Sequence, residues 1–183
     1  MSASVLPSPP TAPLYAAIRD VPDFPKPGIV FKDIMPILAD PVTLRLSIDL
    51  FEEACLALPA RVDKIVGIDA RGFLFGAALA YKMGLGFIAV RKAGKLPGKT
   101  EAAAYTLEYG ESTVEMLSDA LQPGERVALI DDLLATGGTA AAAIKLIEKL
   151  GATAVGALFL VELEFLGGRA RLGAVPVRAL LKY

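Results

Sequence analysis

The sequence from Val127 to Thr139 reads Val-Ala-Leu-Ile-Asp-Asp-Leu-Leu-Ala-Thr-Gly-Gly-Thr, and a run with helical character continues it to Leu150. Its apolar start predicts a buried strand, which carries two adjacent acids to the carboxyl edge of a sheet, where open α/β folds bind ligands. The glycines allow backbone amides to crowd together at the start of a helix, where unpaired N–H groups and the helix dipole favour a phosphate. The segment therefore predicts a strand, an anion-binding loop and a helix of an α/β fold.

The same segment also indicates which kind of phosphate would be bound. Asp131 and Asp132 can accept hydrogen bonds from the hydroxyls of a sugar, while Thr136 and Thr139 add hydroxyl donors to the loop. Two carboxylates beside a phosphate site are therefore suited to a sugar phosphate. The alternative is an acidic strand end and a glycine turn before an ordinary helix, but the order of the parts favours the sugar phosphate.

Strands and helices alternate through most of the chain. Asp40 and Pro41 begin a long amphipathic helix, because Asp is a good N-cap and Pro suits the first helical position. Strand–helix alternation implies a mostly parallel, twisted sheet with helices on both faces. The predicted strands are 64–68, 87–90, 126–130, 153–161 and 177–181, and the other predicted helices are 72–83 and one that ends at Leu150.

A second loop is predicted at the same edge of the sheet. The sequence Asp69-Ala-Arg-Gly72 follows a predicted strand and precedes a predicted helix, so its amides and Arg71 face the same edge as the first loop. This placement predicts a second anion site. A solvated arginine at the start of a helix is the alternative.

Residues 92–110 interrupt the alternation. Their first part is rich in glycine and lysine, and the segment from there to Leu117 has the pattern of an irregular hairpin. A mobile lid over a site fits this pattern. Four cations lie within nine residues at its start, and their mutual repulsion favours an anion between them, although a solvated loop is the alternative. These cations are Arg91, Lys92, Lys95 and Lys99.

The N-terminal region differs from the rest of the chain. Residues 1–13 are rich in proline and small polar residues, which predicts a disordered or loosely attached tail. Residues 14–19 predict a short helix, and the prolines of residues 21–28 predict a rigid connector. Residues 14–183 are expected to form a single domain, since the whole chain has only 183 residues.

Composition excludes several classes of function. The net charge is −1, from 19 basic and 20 acidic residues, which gives no reason to expect a nucleic-acid or anionic-membrane partner. The apolar stretch from Ala152 to Val161 is shorter than the roughly 20 residues that cross a bilayer, and the N-terminal pattern does not predict a secretory signal, so we expect a cytoplasmic protein. With no His and one Cys, the chain has no Ser-His-Asp triad, no Cys/His metal cluster and no internal disulfide.

Residues 131–139 closely resemble the signature with which type I phosphoribosyltransferases bind 5-phosphoribosyl-1-pyrophosphate (PRPP), and the resemblance runs from about Pro22 to the C-terminus. It implies that Asp131 and Asp132 contact the ribose diol. The implied ligands of the 5′-phosphate are Ala135, Thr136, Gly137, Gly138 and Thr139. In that family the second loop binds pyrophosphate and often holds a non-proline cis peptide, while the lid closes over pyrophosphate, partly from a neighbouring subunit. The implied ligands of pyrophosphate are Asp69, Ala70, Arg71, Arg91, Lys92 and Lys95.

Other segments resemble the adenine-specific members of that family. Glu108 lies in the run Glu-Tyr-Gly110, and the resemblance makes it the catalytic residue, whose carboxylate manages a ring proton of the purine. Loss of that proton makes the purine a better nucleophile as its bond to C1 of the ribose forms. Residues 24–34 resemble part of a small hood, about 14–35, that covers adenine. The implied adenine contacts are Val30, Phe31, the backbone near Lys32, and Leu163 on the opposite wall. Lys32 departs from the pattern, which has Arg.

The resemblance implies a purine-salvage enzyme that moves the phosphoribosyl group of PRPP to adenine and releases AMP and pyrophosphate. Mg²⁺ is expected to arrive on PRPP with no direct protein ligand, and the enzyme is expected to be a homodimer. Two alternatives stay open: the same fold acting on hypoxanthine, guanine, xanthine or orotate, and a PRPP-sensing regulator without catalysis. Such a regulator would be expected to carry a nucleic-acid-binding extension or a basic patch, and neither is visible.

Overall fold

The computed structural model of the protein describes residues 10–107 and 110–183. The chain divides into two compact units, and the boundary after Asp49 lies within a helix. None of the described helices combines the length and the apolar character needed to cross a bilayer. The prediction of a single domain from 14 to 183 stays a prediction.

The first unit contains short elements. Strands β1 and β2 pair antiparallel, and the Asp23 carboxylate accepts a hydrogen bond from the backbone N–H of Gly28 at 2.7 Å within the turn between them. The predicted rigid connector is therefore this hairpin turn. Helix α1 begins two residues inside the predicted tail, and α2 was not predicted. The elements are α1 (Ala12–Ala17), β1 (Arg19–Pro22), β2 (Val30–Asp33), α2 (Met35–Ala39) and the start of α3 (Pro41–Leu56).

Asp40 is confirmed as the N-cap of α3. Its carboxylate accepts hydrogen bonds from the backbone N–H groups of Val42, at 2.9 Å, and Thr43, at 2.8 Å. These amides have no partner within the helix, so the cap satisfies them.

The second unit is built on a seven-stranded sheet with the order β5-β6-β4-β3-β7-β8-β9. Strands β4, β3, β7, β8 and β9 run parallel, and β6 pairs antiparallel with both β4 and β5. The predicted mostly parallel sheet flanked by helices is confirmed. The strands are β3 (Lys64–Ile68), β4 (Gly86–Lys92), β5 (Thr100–Leu107), β6 (Gly110–Leu117), β7 (Arg126–Leu134), β8 (Thr153–Glu162) and β9 (Val177–Lys182). The helices are α4 (Arg71–Met83), α5 (Gly138–Lys149) and two 3-10 helices, Glu164–Leu166 and Gly168–Leu172, together called the 164–172 segment.

The two long helices of this unit contact different side chains of the same strand. A Cβ atom on Gly76 of α4 would lie 2.8 Å from the Ile130 side chain, so the glycine allows close packing of α4 on the sheet. Leu129, one residue earlier on β7, belongs instead to the apolar cluster that contains Ala143 and Leu146 of α5. Because successive side chains of a strand point to opposite faces, β7 is covered on both.

The lid region is more regular than predicted. Strands β5 and β6 pair antiparallel at eight successive positions, from Thr100 opposite Leu117 to Leu107 opposite Gly110. The predicted hairpin is therefore confirmed, and only its expected irregularity was wrong. Residues 93–99, between β4 and β5, form neither helix nor strand. The mobility of the lid stays a prediction.

Candidate active site

A cavity lies at the carboxyl edge of the second unit's sheet. Helix α4 connects β3 to β4 in one direction, and α5 connects β7 to β8 in the other, so the adjacent strands β3 and β7 form the topological switch point where such sheets bind ligands. The cavity has a volume of about 420 Å³. Its lining residues are Ile68, Asp69, Ala70, Arg71, Val90, Lys92, Tyr105, Val114, Asp131, Asp132, Leu133, Ala135 and Thr139.

Residues 135–139, here called the phosphate loop, connect β7 to α5. Gly137 is the N-cap of α5 with φ 79° and ψ −1°, a left-handed conformation that glycine adopts without steric cost. The Gly137 carbonyl accepts the hydrogen bond from Ala141 N–H at 2.9 Å. A cavity of about 80 Å³ is lined by residues 133–140 together with Asp131. The predicted order of strand, loop and helix start is confirmed.

Two acids lie side by side at the end of β7. Asp132 is only 5% exposed, and its backbone N–H donates a hydrogen bond to the Asp131 carboxylate at 2.9 Å. Burial raises the pKa of Asp131 well above its ordinary value, and the charge of Asp132 raises it further. Burial also raises the pKa of Asp132, against the opposing charge of Arg71. Burial therefore disfavours the charged form of both carboxyl groups, and the charge of Arg71 offsets part of that cost for Asp132.

Arginines at the start of α4 and near the end of β4 contact the acids at this edge. The Arg71 guanidinium donates from Nε to Asp132 Oδ2 at 2.7 Å, and the Arg71 side chain is 42% exposed. The Arg91 guanidinium donates to Asp69 Oδ2 at 3.1 Å and to the carbonyl of Lys95 at 3.1 Å. A guanidinium has five N–H donors, so both arginines can hold an acid and an incoming anion together. The expected cis peptide is present between Asp69 and Ala70.

Most of the predicted PRPP-binding residues meet in this place. Asp69, Ala70, Arg71, Lys92, Asp131, Asp132, Ala135 and Thr139 line the larger cavity, and Thr136, Gly137 and Gly138 line the smaller one. Arg91 contacts Asp69 beside the larger cavity. Lys95 is exposed and is not among the lining residues, so its side-chain role stays a prediction.

Sequence reasoning did not single out two features of the cavity. Tyr105 of β5 lines it. The available signal was spacing, because Ala103 and Tyr105 occupy alternate positions of β5 and both pack against the apolar cluster. The ion pair between Arg71 and Asp132 was also missed, since the two residues are far apart in the chain and no local pattern connects them.

The structure describes the predicted adenine-binding residues but not Glu108. Val30, Phe31 and Lys32 lie on β2 of the first unit, where the Lys32 ammonium donates to the Asp20 carboxylate at 2.7 Å. Leu163 follows β8 of the second unit and donates its backbone N–H to the carbonyl of Leu134 at 2.9 Å. Glu108 lies outside the described residues. The adenine contacts and the catalytic role of Glu108 therefore stay predictions.

Comparison with known proteins gives consistent matches. The family model described as phosphoribosyl transferase domain matches residues 36–172. The adenine phosphoribosyltransferase of Anaeromyxobacter dehalogenans is 54% identical over 168 residues, which cover 92% of this chain and 96% of the relative. The crystal structure of the enzyme of that name from Thermoanaerobacter pseudethanolicus has a TM-score of 0.90 and 47% identity, and the match covers 93% of this chain and 98% of the other. The Saccharomyces cerevisiae adenine phosphoribosyltransferase, solved with adenine and an imino-altritol bisphosphate, has a TM-score of 0.89 and 44% identity, with 94% and 98% covered.

Proposed function

The chain belongs to the phosphoribosyl transferase family and, within it, to the adenine phosphoribosyltransferases, and from this premise we propose how its residues carry out the reaction. The enzyme transfers the 5-phosphoribosyl group of PRPP to adenine and releases AMP and pyrophosphate, a reaction of purine salvage. One observation supports the assignment of roles: two acids, a glycine loop at a helix start and two arginines meet at one sheet edge.

PRPP is held at both ends of its ribose. The carboxylates of Asp131 and Asp132 accept hydrogen bonds from the ribose hydroxyls, and the phosphate loop donates backbone N–H groups to the 5′-phosphate. The start of α5 adds a favourable dipole for the dianion. This arrangement is supported by the cavity that Asp131 lines together with residues 135–139.

Departure of pyrophosphate is the electrostatically demanding step. As the bond from C1 to the pyrophosphate oxygen breaks, the ribose becomes cation-like and negative charge collects on the leaving group. Arg71 at the start of α4 stabilises that charge together with Arg91 and Lys92 at the end of β4, assisted by the Ala70 backbone. Lys95 joins them when the lid closes. Asp132 holds Arg71 and Asp69 holds Arg91 in place before PRPP arrives.

Magnesium fits this site. Mg²⁺ usually keeps several of its waters and binds substrate phosphates, so an ion carried by PRPP needs no direct ligand from the carboxylates of Asp131 and Asp132, which line the same cavity. We propose that the ion arrives on PRPP and, when bound, neutralises charge on the pyrophosphate. The protein's own cations carry the rest of that task.

Adenine completes the reaction. In the proposal, Val30, Phe31, the backbone near Lys32, and Leu163 contact the base, and Glu108 accepts the ring proton as the bond from nitrogen to C1 forms. We also propose that the enzyme is a cytoplasmic homodimer. Two exposed apolar side chains about two turns apart on α4, Leu74 at 49% and Tyr81 at 89% exposure, are consistent with a subunit contact.

The reaction itself is tested by a base comparison. The full chain is incubated with PRPP, Mg²⁺ and one base at a time, namely adenine, hypoxanthine, guanine, xanthine or orotate, and the nucleotide and pyrophosphate are measured. We expect AMP and pyrophosphate in equal amounts from adenine and much slower turnover of the other bases. Faster turnover of another base would correct the base specificity, while PRPP uptake without turnover of any base would favour the regulator.

The role of Arg71 is tested with two ligands. Arg71→Ala is expected to weaken PRPP binding by roughly tenfold to 100-fold, because hydrogen bonds to a charged group are lost. Ribose 5-phosphate has no pyrophosphate, so its affinity should fall less. Arg61→Ala is the matched control, because Arg61 is an exposed arginine that precedes β3 at the opposite edge of the sheet. Equal losses for both ligands in titration calorimetry would mean that Arg71 acts only through Asp132.

A further inference from the structure

The phosphate loop is in direct backbone contact with the 164–172 segment. A Cβ atom built on Gly168 would lie 2.0 Å from the carbonyl oxygen of Ala135 and 2.9 Å from the amide nitrogen of Gly137. In the reverse direction, a Cβ atom on Gly137 would lie 2.4 Å from the carbonyl oxygen of Gly168. Real side chains do not approach backbone atoms this closely, so the contact exists only because both residues are glycines.

Gly168 does not need to be glycine for its own backbone conformation. It begins a 3-10 helix, and it is absent from the residues with positive φ, whereas the preceding Gly167 has φ 64°. A Cβ atom on Gly167 would meet nothing within 4 Å. The turn therefore requires Gly167 for its conformation, and the contact with the phosphate loop requires Gly168 for its lack of a side chain.

The segment is anchored independently of the phosphate loop. The Arg169 guanidinium donates to both carboxylate oxygens of Glu162, from Nε at 2.9 Å and from Nη2, and a third donor reaches the carbonyl of Val177 at 2.8 Å. Glu162 and Leu172 are each 4% exposed, and Leu172 belongs to the apolar cluster that includes α5. A bidentate arginine–carboxylate pair of this kind fixes the orientation of the two side chains as well as their distance.

Burial singles out the point of contact. Residues 164–171 are all described, and seven of the eight are exposed while Gly168 is buried. Residues 164–171 thus lie on the surface except at Gly168, where they meet the phosphate loop. The segment is fixed by Glu162, Val177 and the core. A steric clash at this contact would therefore displace the phosphate loop and not the segment.

We propose that Gly168 is a positioning residue for PRPP. The backbone of the anchored 164–172 segment packs against Ala135 and Gly137 and so fixes the position of the amides of the phosphate loop. The inference rests on the proposed function, since it assigns the 5′-phosphate to this loop. A displacement of the order of 1 Å at a phosphate site costs up to about 100-fold in activity, so a backbone support of this kind affects function directly.

The test compares two neighbouring glycines. PRPP binding in the presence of Mg²⁺ is measured by titration calorimetry for the full chain, for Gly168→Ala and for Gly167→Ala, and the midpoint of thermal unfolding is recorded for each. Gly168→Ala is expected to weaken PRPP binding by at least about tenfold. Gly167→Ala strains the turn without touching the loop, so it should lower the unfolding midpoint and change PRPP affinity by less than about threefold. Adenine affinity should stay the same in both variants.

Each outcome bears on one claim. If the unaltered protein takes up no PRPP, the proposed function fails. If it binds PRPP and Gly168→Ala binds it equally well, or if both variants lose affinity equally, only the positioning role is overturned.

A second pair of variants covers the case in which Gly168→Ala does not fold. Arg169→Lys keeps the charge but loses the bidentate pair with Glu162 that anchors the 164–172 segment. We therefore expect PRPP affinity to fall by about threefold or more. Arg171→Lys makes the same change at an exposed arginine of the same segment and should leave PRPP affinity unaltered. Unaltered affinity in Arg169→Lys would overturn the proposal.

Discussion

Replacement of both Asp131 and Asp132 by asparagine is expected to weaken PRPP binding by about 100-fold or more. Each carboxylate is proposed to accept a hydrogen bond from a ribose hydroxyl, and a hydrogen bond to a charged group contributes about 1.5–3 kcal/mol. Two such losses together exceed a hundredfold in affinity. The measurement is titration calorimetry with PRPP and Mg²⁺, for the double variant and for each single variant.

An exposed acid provides the control for this prediction. Asp119 lies in the turn after β6 and is exposed, so Asp119→Asn makes the same chemical change away from the cavity. PRPP affinity should be the same in Asp119→Asn as in the unaltered protein. Retention of PRPP binding by the double variant would remove the acids from the sugar site and, with them, the basis of the mechanism.

The Asp131→Asn change is also expected to make the ligand-free protein more stable. Burial raises the pKa of Asp131 in the folded state above its value in the unfolded chain, so ionisation favours unfolding. Below the unfolded pKa, about 3.9, the acid is protonated in both states and costs nothing. The cost grows as pH rises above that value and becomes constant above the folded pKa. The gain in the thermal midpoint of Asp131→Asn should therefore increase with pH, and a gain that decreased with pH would contradict this account.

Such a cost in stability is expected of a binding site. The two carboxylates are buried at the place where they are proposed to bind sugar hydroxyls. The charge of Arg71 offsets only part of the desolvation cost of Asp132. Ligand binding supplies the missing hydrogen-bond partners. PRPP should accordingly raise the thermal midpoint of the unaltered protein more than that of Asp131→Asn.

The sequence predicted the part of the site whose signals are local. Between Val127 and Thr139 the apolar strand, the two acids and the glycine loop occur in the order in which the chain passes through the site, and α5 follows at once. Strand β3 and the loop at Asp69 were found in the same way, because an apolar run ends directly at polar residues. Local propensity and fold agree in these segments, so the local sequence pattern alone predicted these elements correctly.

The parts that were missed depend on pairing between distant residues. Strand β5 contains Ala102, Ala103 and Ala104, which have low intrinsic strand propensity, and its regular pairing with β6 comes from tertiary context. Gly168 was not singled out from the sequence, since its contact with Ala135 joins residues more than thirty positions apart. No local pattern contains that contact.

Glu108→Gln is expected to lower turnover by about 100-fold while PRPP affinity changes little. The proposed reaction requires a base that accepts the ring proton of adenine as the bond from nitrogen to C1 forms, and general-base catalysis contributes on the order of 100-fold or more. Glutamine keeps the size of the side chain and removes the basic carboxylate. With no His in the chain, the carboxylates are the natural candidates for this role. Single-turnover kinetics with adenine, together with PRPP calorimetry, separate the chemical step from binding.

A charge-matched variant and a pH profile distinguish proton transfer from a structural effect. Glu53→Gln alters an exposed glutamate of α3 and should leave turnover unchanged. In the unaltered enzyme the rate of the chemical step should fall at low pH as the base becomes protonated, and in Glu108→Gln this fall should disappear. If Glu108→Gln turns over adenine at the unaltered rate, the base is another group. If its rate is low but the acid limb persists, Glu108 positions adenine and does not accept its proton.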